Sequence, residues 1–220
     1  MISRRNLVLM AGLTGAALVY GQWPRGDSSL LPPLGPNAAQ AQGAATVEIE
    51  DITLGDADAP VKVVEYASYT CPHCAAFHND TFKDFKAQYI DTGKVHFTYR
   101  EVFFDRFGLW AAMIARCAGP DRYFGVSDLL YKEQADWARA GDPAAVADAL
   151  RRIGAQAGLT TDELDACLQD ADMAQSLVAW YEENATRDGV RSTPSFVIDG
   201  EVHPGNMSLS QLGALVDAAG

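Results

Sequence analysis

The stretch VKVVEYASYTCPHC at 61–74 sets a strand, a turn and a helix start end to end. Its first seven residues form a nearly continuous apolar run, the pattern of a central strand covered on both faces. Pro72 suits the first position of a helix, because the N–H it lacks is one that a helix start leaves unpaired. Cys71 then falls at the N-cap, with Cys74 one turn deeper. From 72 to about 89, Phe77, Phe82, Phe85 and Tyr89 share one broad face, which predicts a helix. KVHFTYREVFF at 94–104 alternates and predicts the following strand. The result is a β-α-β unit whose central strand delivers two cysteines to a helix N-terminus.

The flanking patterns frame this unit. TVEIEDI at 46–52 predicts a half-buried strand before it. Helical signals follow it for some eighty residues: one helix over 109–117 stopped by Gly119-Pro120, and another over 123–139. A third is opened by Asp142 and Pro143 and closed by Gly158. Thr160 and Glu163 form a capping box for a fourth, and a fifth covers 172–187. PSFVIDGEVHPG at 194–205 reads as a hairpin turning at Asp199-Gly200, and 209–219 as a closing helix. The expected fold class is α/β, a sheet domain over 45–107 and 188–220 interrupted by a helical insertion over 108–187.

Residues 1–44 bear on location. Arg4 and Arg5 precede an uncharged run from 7 to 20 that is short for a membrane span, which reads as an export signal. Ser3, Arg4, Arg5 and Leu7 partly match the twin-arginine signal, with the general secretory route as the alternative. A Pro-, Gly-, Ala- and Gln-rich tether follows. The small residues Ala39 and Ala41 lie far past the apolar run for a cleavage site, so an uncleaved anchor is an open alternative. Either way the folded part is expected in an oxidising space, the periplasm, where disulfides persist. The 220-residue chain holds 17 basic and 29 acidic residues, a net charge of −12. Arg4, Arg5, Arg25 and Asp27 fall in the leader, leaving 14 basic against 28 acidic residues, a charge of −14. Such a surface repels phosphates, which argues against nucleic acid as a partner.

The cysteines sort into two pairs. At the N-cap, the Cys71 sulfur meets the free N–H groups of His73 and Cys74 and the positive end of the helix, so its thiolate is favoured; His73 can add charge or a donor. A stabilised thiolate is a good leaving group, which makes a Cys71–Cys74 disulfide an oxidant, with shielded Cys74 as the resolving thiol. Zinc is an alternative, since Cys71, Cys74 and His78 lie on one helical face, but no fourth ligand is evident. A purely structural disulfide would constrain little chain. Cys117 and Cys167 sit in apolar helical patterns; in an oxidising compartment a structural disulfide is expected over two buried thiols.

VVEYASYTCPHCAAFH with STPSFVIDG far downstream resembles the DsbA-like thiol-disulfide oxidoreductases of the thioredoxin superfamily. That resemblance implies a thioredoxin-like fold with an inserted helical domain, Cys71 as the solvent-facing nucleophile and Cys74 as its buried partner. It places Pro194 after a cis peptide bond against the disulfide, with Thr193 offering its backbone to an extended client segment. It also places Glu65 beneath the site as a tuning acid, where the residue pattern alone suggests pairing with a nearby Lys or Arg. His78 and His96 are expected to be solvated or packed. No metal or cofactor is implied beyond the Cys71–Cys74 disulfide. The implied partners are reduced, unfolded exported proteins and a membrane-bound reoxidant. Thr193 does not settle the direction of electron flow. The same fold as a reductase or isomerase, or as a zinc- or peptide-binding module, stays open, although the leader is too short for an isomerase's dimerisation domain.

Overall fold

The computed structural model describes residues 47–220. The export signal and tether expected over 1–44 lie outside the described residues. Strand β2 (Val61–Ala67) is the third of five in the order β1-β3-β2-β4-β5. It pairs in parallel with β3 (Val95–Glu101) and antiparallel with β4 (Ser195–Ile198). β1 (Ile52–Leu54) and β5 (Glu201–Pro204) form the edges, both antiparallel. A parallel pair needs a crossover. Here it is a helical run made of α1 (Pro72–Phe77), a π-helical turn (His78–Phe82), α2 (Lys83–Phe85) and a second π-helical turn (Lys86–Ile90). The hairpin from β4 to β5 turns at Asp199 and Gly200, both with positive φ (48° and 85°).

Between β3 and β4 come α3 (Arg106–Cys117), α4 (Pro120–Lys132), α5 (Gln134–Trp137), α6 (Pro143–Gln156), α7 (Thr161–Gln169) and α8 (Ala171–Arg187); α9 (Leu209–Ala219) closes the chain. These helices share one core with the sheet: Val63, Phe97 and Phe196 pack in the same cluster as Ile114, Val126 and Leu164. Burial at roughly 25 cal/mol per Å² of apolar surface is what holds the block to the sheet. Several helix starts follow from single side chains. Asp142 accepts from Ala144 N and Ala145 N at 2.9 and 3.0 Å, and Thr160 with Glu163 closes a full capping box.

Several boundaries differ from the expectations; the strand expected over 94–104 ends at Glu101, and three others have a visible side-chain cause. The strand expected over 46–52 is only Ile52–Leu54. The chain before it is held instead by side chains: Arg100 grips Asp51 at 2.8 and 2.9 Å, Arg116 donates to Glu50 O at 3.0 Å, and Ser176 Oγ accepts from Val47 N at 3.0 Å. α3 begins at Arg106 rather than 109 because Asp105 accepts from Phe107 N and Gly108 N. The helix expected over 123–139 starts earlier, at Pro120, and breaks at Glu133 (φ −98°, ψ 10°) into α4 and α5. Trp137 Nε1 bridges that break by donating to Leu130 O at 2.7 Å, the carbonyl an unbroken helix would give to the Gln134 N–H.

Arg116 and Glu101 form a bidentate ion pair at 2.7 Å inside the protein, with Tyr123 Oη donating to the same carboxylate at 2.7 Å. Among the described residues no helix is long and apolar enough to cross a membrane.

Candidate active site

The site is assembled where β2 ends and α1 begins. Cys71 takes the N-cap in extended conformation (φ −83°, ψ 119°), Pro72 follows at the first helical position, and Cys71 O accepts the first helical hydrogen bond from Ala75 N at 3.1 Å. From the far side of the insertion, the loop before β4 brings up Thr193, whose peptide bond to Pro194 is cis and whose carbonyl oxygen lies 3.5 Å from Cys71 Sγ. Pro194 is buried, and its own carbonyl is held by Gly205 N at 2.8 Å. Residues 122 positions apart in sequence thus meet at one sulfur.

Cys71 and Cys74 are free thiols here, which corresponds to the reduced site. Cys71 is less solvent-facing than expected: it keeps 8% of its surface exposed against 0% for Cys74, so of the two it is the one that a client can reach. Pro72 and His73 are the exposed members of the motif.

The two thiols are driven in opposite directions. The Cys71 thiol is lowered from an ordinary 9.0 to about 5. The largest cause is a hydrogen bond from the Cys74 thiol; burial opposes it, and Thr193 and the backbone N–H groups of Cys74 and His73 add to it. As a thiol, Cys71 donates to Thr193 O. As a thiolate it takes a donor instead, and Thr193 Oγ1, buried and without a partner among the described residues, is placed to supply one. Cys74 is held far above the ordinary thiol range, first by burial, then by its bond to Cys71 and the nearby charge of Glu65. The helix N-terminus thus contributes through two N–H groups but ranks below the partner thiol, the reverse of the emphasis that the N-cap position alone suggests.

Glu65 lies beneath the pair and is fully buried, but its partner is neither Lys nor Arg. Both its oxygens lie 3.0 and 3.1 Å from His78 Nε2. The reason is register: His78 follows Cys74 by four residues and therefore shares its helix face, directly over β2. His78 is packed, as one of its two expected states allowed, stacked at 4.2 Å on Tyr131 and edge-on to Phe77. It thereby spends Nε2 on Glu65 rather than on the two sulfurs with which it could have bound zinc. His96 lies on β3, and its Nδ1 is buried without a partner among the described residues. Cys117 and Cys167 are joined by a disulfide between α3 and α7, with Cα atoms 6.3 Å apart.

Two contributors escaped the sequence reading. Gln134 Nε2 donates to Tyr69 O at 2.8 Å and to Cys71 O at 2.9 Å. Tyr131 roofs His78 and bonds Tyr99 Oη through its hydroxyl at 2.5 Å. Both belong to helices some sixty residues away, and no local pattern marks them.

A pH dependence follows from the Cys71 shift. Between about 5 and 9, native reduced protein binds fewer protons than its unfolded chain, so its stability rises with pH across that window and is lost as pH falls through 5. Above about 9 the raised Cys74 acts oppositely, because only the unfolded chain releases that proton. Chemical denaturation of reduced and oxidised protein from pH 5 to 8.5 should show the reduced form gaining on the order of 3 kcal/mol relative to the oxidised, after discounting for solvent access. Parallel curves would contradict the shift.

A five-stranded sheet with a cysteine pair at a helix N-terminus, faced by a cis-proline loop, defines a dithiol site on a thioredoxin-like fold. The chain belongs to the thioredoxin family: residues 47–218 match the family described as Thioredoxin. It is 33% identical over 174 residues to a Rickettsia bellii protein provisionally named a protein-disulfide oxidoreductase, covering 79% of this chain and 66% of that one. A Rickettsia felis relative of the same provisional name is also 33% identical, and the chain spans 61% of its length. The crystal structure of Wolbachia pipientis alpha-DsbA1 superposes with a TM-score of 0.70 at 28% identity, covering 80% of this chain and 93% of that one. The chain is therefore DsbA-like in architecture, a thioredoxin-like domain with helices inserted between β3 and β4.

Proposed function

We propose that this chain is an exported thiol-disulfide oxidoreductase of DsbA type that donates the Cys71–Cys74 disulfide to cysteines of client proteins. The observation that carries this reading is the asymmetry of the pair: one thiol acidic and at the surface edge, the other buried and held protonated. A client thiolate attacks Cys71 Sγ of the disulfide, and a client–Cys71 bond forms as Cys74 leaves. Cys74 takes up a proton, as its burial favours. The second client thiolate then attacks the client sulfur and expels Cys71 as a thiolate. One client disulfide forms, one enzyme disulfide is lost, and two electrons pass to the enzyme. The acidic Cys71 makes expulsion easy and the reduced form stable, which favours oxidation of the client over the reverse.

In this reading Thr193 presents its backbone to the client segment, Pro194 lies against the disulfide, and Pro72, His73 and Glu65 tune the pair. No cofactor is required beyond that disulfide. The clients are reduced, unfolded exported proteins in the periplasm, and a membrane-bound partner returns the enzyme to its disulfide form. The strongly acidic domain is suited to such soluble work and unsuited to nucleic acid.

Equilibration of the Cys71–Cys74 pair with glutathione tests the direction. A reduction potential well above about −200 mV is expected, near the oxidising end of the thioredoxin-like range. A value near about −270 mV would mean a reductase instead.

A further inference from the structure

We propose that Gln134 is the positioning residue of this redox site, fixing Cys71 at the helix N-terminus by clamping the carbonyls on either side of Thr70. The proposal rests on the dithiol reading above and deepens it by assigning the inserted helices a part in setting the nucleophile.

The strand-to-helix turn has a particular difficulty. Tyr69 and Cys71 lie after the last ladder position of β2 and before the helix has closed its first turn, so their carbonyls need N–H donors from beyond the strand ladder. Cys71 O has Ala75 N, at 3.1 Å. The Gln134 side-chain amide carries two protons and meets both carbonyls at once, at 2.8 and 2.9 Å. One planar group bonding residues 69 and 71 together fixes the curvature of the segment between them. Thr70, the residue enclosed, is held on its own side by Asp105, the cap of α3, at 2.8 Å and by Ser68 at 3.2 Å. α3 approaches that turn closely, since a Cβ at Gly108 would stand 3.4 Å from both the Ser68 and Thr70 hydroxyls.

The break between α4 and α5 serves this contact. Gln134 is the first residue of α5, and Trp137 repairs the interruption by taking Leu130 O. Gln134 touches neither sulfur, so its effect passes through the backbone. With Cys71 held in extended N-cap geometry, its Sγ faces Cys74, the Thr193 loop and the N–H groups of His73 and Cys74. Freed from the clamp, the turn can rotate and each of those contacts lengthens.

The test is the thiolate absorbance near 240 nm of the reduced full-length protein, titrated from pH 3 to 8. Cys74 stays protonated across that range and Cys117 and Cys167 are bonded, so Cys71 alone is read. Gln134→Met, which keeps length without donors, should raise the midpoint by about half a unit to one unit, a three- to tenfold loss of thiolate at a pH below both midpoints. Gln134→Lys, which keeps donors, should stay at or below the wild-type midpoint. An unchanged midpoint in Gln134→Met, or an equal rise in both variants, would overturn the proposal, because a packing role alone moves melting temperature without distinguishing donors. A wild-type midpoint in the ordinary thiol range would instead overturn the acidic-thiolate reading, and this inference with it.

Discussion

Serine at position 71 is expected to lower the rate of client oxidation on the order of 10³-fold or more, whereas serine at position 74 should produce a stalled adduct. A hydroxyl neither forms the disulfide nor ionises near neutral pH, so Cys71→Ser removes the bond that a client attacks as well as the leaving group. Cys74→Ser keeps the attacked sulfur but removes the thiol that competes with the client for it. A disulfide between Cys71 and glutathione or a client then has no internal route to resolution. Cys74→Ala, which leaves no donor at that position, deletes the largest contribution to the low Cys71 value, so there the thiolate midpoint should rise. Intact mass with and without reductant reads the adduct, and oxidation of a reduced two-cysteine peptide reads the rate. Unimpaired oxidation by Cys71→Ser would remove Cys71 from the chemistry. An adduct on Cys71 of wild type as lasting as on Cys74→Ser would remove Cys74 from its resolving role.

Much of this architecture was legible because local signals agreed with the global fold. Pro72 after an apolar strand, Asp142-Pro143, the Thr160–Glu163 box and Asp199-Gly200 each specify a boundary by their own backbone chemistry, and each boundary lies where that chemistry puts it. Where a boundary moved, a distant side chain had outweighed the local pattern. Residues 47–51 alternate like a strand, yet Arg100 and Arg116 hold them by their carboxylates and carbonyls. The helix read through Glu133 contains no proline or glycine at the break, only a tryptophan able to repair it.

The site divides in the same way. The Cys71–Cys74 spacing, and Thr193-Pro194 by resemblance, pointed to the reacting sulfur. The partner of Glu65 did not emerge, because the pairing depends on where β2 sits beneath α1, and a histidine at 78 reads equally well as solvated or packed. The order of forces on Cys71 was also hidden. An N-cap position predicts backbone N–H donors, but only the fold shows that the Cys74 thiol outranks them. Gln134 illustrates the limit: a glutamine in a helical pattern carries no mark of the two carbonyls it will meet.

Removal of the second disulfide, as Cys117→Ala with Cys167→Ala, is expected to cost about 4 kcal/mol of stability, because the bond closes a loop of 50 residues in the unfolded chain. For a domain of this size that is a fall in melting temperature of roughly 8–16 °C. The folded state should survive the loss, because the helices it links pack closely without it. At Gly154 in α6 even a methyl group would collide with Leu164 of α7, at 2.3 Å, and would press on Ile114 of α3, at 3.2 Å. Leu164 and Ile114 are themselves buried in the common core. The loss therefore falls mainly on the constraint lifted from the unfolded chain rather than on native packing. The donors to the Cys71 sulfur come from α1 and the Thr193 loop, and Gln134 holds its turn from α5; none of these elements carries Cys117 or Cys167, so the thiolate titration should not move. Thermal melts beside the 240 nm titration separate the two roles. A melting temperature within about 2 °C of wild type would contradict the loop-closure account, and a displaced Cys71 midpoint would show that the bond reaches the redox site through α3.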